Sequence, residues 1–235
     1  MTKIPGAFIV DITHNIPPYN LNSASFVLKN AFKAFPPGTI HIIDIVADAT
    51  IEMPHAVVLY DGHYFIGTDN GIFSLMFDHE PEQMYEIDLI QDTHTFTFSA
   101  HDVFIKVAQH IVEGKPLAGV GPQRKQLTNK ISFKAVTSKD LIIGHVIFID
   151  SYENVFTNIT RELFDEVCQK RPFTINFGRS RDKISKISQS YKDGSPGDII
   201  GLFSSTGHLQ IAVCTGNAAG LLYLKIDDAI RIEFQ

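Results

Sequence analysis

Two hydrophobic rhythms share this chain, and the change from one to the other constrains its fold more than any other feature. Up to about residue 114, short apolar runs alternate with segments of helical spacing. The runs at 8–12 (FIVDI), 39–46 (TIHIIDIV), 56–60 and 63–67 read as strands, the first of them short and buried. Between the first two, Ala24, Phe26, Val27, Ala31 and Phe32 recur at helical spacing. Asn22 or Ser23 can cap that helix, and Phe35-Pro36-Pro37-Gly38 stops it near Ala34. Asp61-Gly62 is a two-residue hairpin signal, 72–77 starts a helix and 84–89 reads as an edge strand. The segment 102–113 (DVFIKVAQHIVE) is amphipathic, with Asp102 at its start and Gly114 past its end. The stretch 115–129 has Pro, Gly, Gln and basic residues without periodicity and reads as a linker. Beyond it come short strands at 131–136, 141–149, 174–177, 199–203, 209–213 and 229–234, interrupted by one helix near 161–169. The expected class is therefore α/β, with an α/β sandwich domain over 1–126 and an antiparallel β-barrel-like domain over 127–235.

Composition narrows the function classes. With 44% hydrophobic and 20% charged residues in 235, the chain has enough apolar material for real cores. A formal charge of −6 leaves no basic footprint for nucleic acid. No apolar run approaches the roughly 18 residues of a membrane helix, and the opening MTKIPGAF lacks the pattern of a signal peptide. Cys168 and Cys214 have no C-x-x-C partner and read as reduced, buried thiols of a cytoplasmic protein. The ten histidines are scattered without a metal-ligand spacing.

The stretch with most chemical content is GHVIFIDSYENVFTNI (144–159). A strand-like run, Val146 to Ile149, stops at Asp150; Ser151-Tyr152-Glu153-Asn154 makes a polar turn; a second apolar segment follows. A carboxylate, a phenol and a carboxamide then sit together at a strand end, where scaffolds place binding groups. The other reading is an exposed polar turn with no ligand.

Six islands in one order decide between these. VDITHNIPPYN (10–20), FPPGTIHI (35–42), DGHYFIGTDNGIFS (61–74), FTFSAHDVF (96–104), IDSYENVFTNI (149–159) and SSTGHLQIAVCTGNAA (204–219) span nearly the whole chain. Together they resemble the S-adenosylmethionine hydroxide adenosyltransferases, adenosine-forming hydrolases related to the fluorinase and chlorinase enzymes. The resemblance implies an α/β N-terminal domain, a β-rich C-terminal domain and a homotrimer with inter-subunit sites. It implies S-adenosylmethionine as substrate or ligand and no further cofactor. By resemblance, Asp150 and Asn154 hold the methionine end of the ligand, a carboxylate facing an ammonium and a carboxamide facing a carboxylate. Tyr152 packs near the adenine, Asn217, Ala218 and Ala219 offer backbone groups to its edge, and Ser205 belongs to the same binding set. Tyr19, after the proline pair, packs over sugar or base. Taken alone, Tyr19 reads as core packing and 217–219 as a small-residue turn.

The same resemblance exposes departures. The hydrolases place water with an Asp–Arg–His set, in a D-P-G-V-G-T-x-R-R loop and a T-F-H-G-R-D turn. Here Val46 stands at the Asp position, Met53 and Pro54 at the Arg-Arg positions, Ser99 at the His position and His101 at the Arg that follows it. Ala100 falls where halogenating relatives carry serine, so halogenation is unsupported. Asp44 or Asp48 can replace the carboxylate and His101 the imidazole, with Asp48 favoured because a strand shift turns a side chain to the other face. The candidate catalytic set is therefore Asp48, Ser99 and His101; for His101 an exposed helix-terminal role is the alternative. The family's opening strand–turn–helix with its T-D-F-G motif finds no room ahead of 8–12, since a parallel crossover takes about a dozen residues. Two function classes follow: a divergent hydrolase releasing adenosine and L-methionine, or a non-catalytic binder that has kept the pocket. A ligand-free structural oligomer is the third.

Overall fold

The computed structural model describes residues 4–88, 98–130, 134–178 and 182–235. They form two compact units, Met1–Ile131 and Ser132–Gln235.

In the first unit, Asn20 caps helix α1 (Leu21–Ala31) by accepting the Ser23 N–H on its side-chain oxygen. A single 3₁₀ turn, Phe32–Ala34, then runs into the proline pair. Strand β1 (Ile40–Ile42) pairs parallel with β3 (His63–Thr68), and β3 pairs antiparallel with β2 (His55–Tyr60). The β2–β3 hairpin turns at Asp61 and Gly62, both at positive φ, as a two-residue turn of this twist demands. Strand β4 (Gln83–Glu86) completes the order β1-β3-β2-β4. Successive residues of β2 point to opposite faces. Val58 joins a core with Leu21, Phe32, Phe65 and Phe73, under α1 and α2 (Ile72–Met76). Val57 joins Ile66, Phe104 and Val107 under α3 (Ile105–Val112), which is entered through a wide π turn over Ala100–Phe104. The result is the expected sandwich of helices on both faces of a sheet.

The second unit is a nearly closed sheet. Its strands are β5 (Val136–Ser138), β6 (Leu141–Ile149), β7 (Val155–Thr160), β8 (Phe173–Phe177), β9 (Lys183–Ile184), β10 (Ile187–Ser188), β11 (Ile199–Phe203), β12 (His208–Val213) and β13 (Ala229–Phe234). They run in the order β10-β11-β12-β7-β6-β13-β8-β9, with β5 on β6, and all pairs but β10–β11 are antiparallel. The two end strands, β9 and β10, are neighbours in sequence, so the ribbon curls almost onto itself. Its interior is apolar, from Ile142, Val146, Ile159, Ile175, Leu209 and Ile232. Helices α4 (Arg161–Cys168) and α5 (Ala218–Leu222) complete the unit. At Gly144 a Cβ would meet Ile159 Cγ1 at 2.4 Å, so this close strand approach accepts only glycine.

Three expectations are corrected. The 8–12 run is not a buried strand: it is extended chain in solvent, with Phe8 93% and Ile9 80% exposed. Ile4 packs on the α3-side core and Ile16 on the α1-side core, so the intervening chain passes from one face of the sheet to the other and is drawn away from both. The 39–46 strand stops at Ile42: Ile43 N–H still donates to Ile66 O at 2.8 Å, and the chain has left the sheet by Val46, which takes a positive φ of 49°. The 115–129 stretch is no free linker. It lies along the outer edge of β4, where Glu86 N–H donates to Pro122 O, Arg124 N–H donates to Met84 O, and Leu117 and Val120 are buried. Of the expected 131–136 strand, 131–133 lie outside the described residues.

Candidate functional site

Apart from Tyr19 and Ser205, the residues expected to bind or react fall at two places, one in each unit. In the first, chain leaving the carboxyl end of β1 is clamped by donors from other elements. The end of a parallel strand is where α/β sheets hold ligands. Asn70 Nδ2 donates to the carbonyls of Ile45 (3.0 Å) and Val46 (3.1 Å). The Ala47 carbonyl accepts from His55 Nε2 at 2.8 Å, Thr68 Oγ1 at 2.9 Å and Ser99 Oγ at 3.1 Å. These bonds hold a β-branched residue, Val46, in the left-handed region it would otherwise avoid.

On either side of the clamped carbonyls, Asp44 and Asp48 are exposed and make no hydrogen bond or ion pair among the described residues. Partial burial and the neighbouring Asp48 carboxylate raise the Asp44 carboxyl above the usual carboxylate range, against the pull of His55. Ser99 is buried and its hydroxyl proton is committed to the Ala47 carbonyl. His101 is exposed, stacks on Phe98 and pairs through Nδ1 with Asp102 at 2.7 Å. Tyr19 stands 82% exposed in the turn before α1, at a φ of 65°, so it is not core packing.

In the second unit the turn 150–154 folds around Asp150. Its Oδ1 accepts the N–H groups of Tyr152 and Asn154, both at 2.9 Å, and its Oδ2 accepts Asn154 Nδ2 at 3.0 Å. Three of the roughly four acceptor positions of a carboxylate are thus filled, leaving one on Oδ2. Asn154 is buried, yet its Oδ1 accepts nothing among the described residues. What the pair still offers is weighted to acceptors, and suits a donor-rich ligand group. Tyr152 projects 79% exposed.

Glu153 joins this turn to α5. Its carbonyl accepts the Ala219 N–H at 2.9 Å and its Oε2 the Gly220 N–H at 3.0 Å. Asn217 occupies the N-cap position and Ala218 is buried beneath it. Asp150, Tyr152, Asn154 and 217–219 are therefore brought together, through a residue that sequence reasoning passed over. Ser205 is not. The β11–β12 turn that carries it adjoins the Thr160 end of β7, whereas 150–154 leads into the Val155 end. About 16 Å of strand separates those ends.

Asp44 was named only as second to Asp48, and the loop-holding donors His55, Thr68 and Asn70 were missed. The one sequence trace of them is the Thr68-Asp69-Asn70-Gly71 turn at the end of a strand.

Both halves of the chain resemble known proteins. Residues 1–121 match the family described as SAM hydroxide adenosyltransferase N-terminal domain, and residues 144–231 match its C-terminal domain. The (R)-S-adenosyl-L-methionine hydrolase of Methanocaldococcus jannaschii is 29% identical, over 97% of this chain and 84% of that protein. The Thermus thermophilus protein of the same name is 25% identical, over 98% and 89%. Among solved structures, an uncharacterized conserved protein from Thermotoga maritima superimposes with a TM-score of 0.86 at 30% identity, covering 98% of this chain and 90% of that one. A conserved hypothetical protein from Thermus thermophilus, at 22% identity and a TM-score of 0.72 over 98% of this chain and 88% of that one, shares the fold. With both of its halves matched, the chain belongs to the SAM hydroxide adenosyltransferase family.

Proposed function

We propose that this chain hydrolyses S-adenosyl-L-methionine to adenosine and L-methionine. The observation that carries the reading is the second-unit turn, where Asp150 and Asn154 keep unspent acceptors beside the exposed Tyr152 and the 217–219 backbone. An ammonium or an exocyclic amine satisfies such acceptors, and an exposed phenol supplies a face for a ring. Ligation between the first unit of one subunit and the second unit of another, in a homotrimer, is part of the proposal.

The reaction asks little of an acid. Water oxygen bonds to the ribose 5′ carbon, and the electron pair of the carbon–sulfur bond leaves on sulfur as a neutral thioether. One water proton must be accepted. For that step the raised carboxyl makes Asp44 the better candidate than Asp48, which stays beside it as the source of part of the shift. Ser99 holds the loop through Ala47 and does not transfer a proton. His101, tied to Asp102 at the start of the π turn, takes the helix-terminal role.

Incubation with S-adenosylmethionine in ¹⁸O-water, followed by chromatography and mass analysis, tests the reading. Adenosine carrying one ¹⁸O at its 5′ hydroxyl is the expected product. Asp44→Asn is expected to lower kcat by about 10²-fold or more, the size of a general-base contribution. The acid limb of the wild-type profile is expected to lie above the ordinary carboxylate range, since the raised Asp44 must lose its proton to act. The second reading, a non-catalytic binder, is favoured by Met53 and Pro54 at the positions where the family pattern has arginines. Binding of adenosine by calorimetry with no adenosine released from S-adenosylmethionine selects it.

A further inference from the structure

The geometry points to Glu153 as a positioning residue for the ligand: it fixes α5 against the 150–154 turn so that both present one binding surface. The inference rests on the reading of 150–154 and 217–219 as the nucleoside and methionine subsite.

Three observations carry it. First, Glu153 bonds α5 twice, through its main-chain carbonyl to Ala219 N–H and its Oε2 to Gly220 N–H. These are the second and third amides of α5, which the helix itself leaves without partners. Asn217, at the cap position, makes no side-chain capping bond, so Glu153 takes the part a capping side chain plays elsewhere. Second, Glu153 sits at a φ of 61°, a conformation that costs a non-glycine residue energy. The turn compensates with the Asp150 bonds on either side, to Tyr152 N–H and Asn154 N–H, and with Glu153 N–H donating to Asp150 O at 2.9 Å. Third, the carboxylate lies directly against position 220, where a Cβ would stand 2.9 Å from Glu153 Oε2. Around the contact stand exposed aromatic and apolar side chains, Tyr152, Leu221 and Tyr223, the last 86% exposed. A hydrogen bond from a main-chain amide to a carboxylate thus sets the spacing between the ligand groups of one strand end and those of one short helix.

The role is separable from chemistry, from charge and from mere stability. Glu153→Ala is expected to raise KM for S-adenosylmethionine about tenfold while kcat stays within about twofold, because uniform binding is lost and no transition-state contact is. Glu153→Gln, whose amide oxygen still accepts the Gly220 N–H, is expected to restore KM to within about twofold of wild type. Glu153→Asp, with full charge but one methylene less reach, is expected to behave like alanine, and it replaces Glu153→Ala if that variant fails to fold. Hydrogen exchange read without ligand should show the Gly220 amide exchanging about tenfold faster in the Ala and Asp variants and at the wild-type rate in the Gln variant.

Unchanged exchange, or faster exchange with unchanged KM, overturns the positioning role. Protected amides but a raised KM in Glu153→Gln also overturns it, by making Glu153 a direct partner of the ligand's cation. If the wild-type chain neither turns over nor binds S-adenosylmethionine, the functional reading fails and the exchange result alone decides whether Glu153 holds α5.

Discussion

His41 and His63 form a buried imidazole pair, His41 Nε2 to His63 Nδ1 at 3.2 Å, walled by Phe32, Phe35 and Phe65. Burial, then the neighbouring His63, lowers the His41 pKa from 6.5 to about 4; burial lowers that of His63 as well, against the pull of Asp61. A depressed folded pKa means that the unfolded chain takes up the proton first. The stability held by this pair is therefore complete above about pH 6.5 and drains away as the pH falls toward 4. Denaturant titrations at pH 7 and pH 5 should differ by about 2 kcal/mol from His41 alone, and His41→Phe should flatten that acid slope. The sequence showed histidines scattered without ligand spacing. It did not show that two of them meet across β1 and β3, because that pairing depends on which strands are neighbours.

At the scale of elements, several strands were legible to the residue, whereas helix ends were not. The helix expected from an Asn22 or Ser23 cap to near Ala34 is Leu21–Ala31 with Asn20 as its cap, and the one expected over 102–113 is Ile105–Val112 behind a π turn. The 141–149, 199–203 and 229–234 strands fall where apolar alternation put them, and so does the Asp61-Gly62 hairpin. Segments without a rhythm were misread. The 115–129 stretch looked like a linker because irregular chain that lies along a sheet edge has no period of its own. What ties it down is a buried ion pair: Arg124 Nη2 lies 3.1 Å from Oδ2 of the fully buried Asp69, which also accepts the Thr128 N–H on both oxygens. Removing one partner leaves a charge without its counterpart in the interior. Arg124→Ala should cost about 3 kcal/mol in urea denaturation, and Asp69→Asn in the same chain should recover part of that loss. The 8–12 run shows the opposite error. A largely apolar segment was taken for a strand, although apolarity does not supply a neighbouring strand to pair with.

For the whole molecule, the candidate site was legible as a set of residues but not as an arrangement. Collinear islands marked Asp150, Tyr152 and Asn154 and the 217–219 turn, and the turn geometry brings them together through Glu153. The same islands could not reveal that Ser205 sits at the other end of β7. If each ligand is shared between subunits, inactive variants should complement one another. Asp44→Asn and Asn154→Ala chains, mixed after mild dissociation, should recover up to about a quarter of wild-type turnover, since random assembly pairs intact halves at some interfaces. Strictly intrachain sites would give none, and light scattering of the unmixed protein reports the stoichiometry that the mixing needs. The Ala47 carbonyl, gripped by His55, Thr68 and Ser99, has a consequence for evolution. Since the main chain beyond β1 takes its path from donors on other elements, its outward side chains are free to be exchanged while the path persists. Such a loop is a socket: one catalytic set can be unplugged and another tried without the fold being rebuilt, and grafting a relative's side chains onto 44–54 becomes a practical route to new nucleophiles.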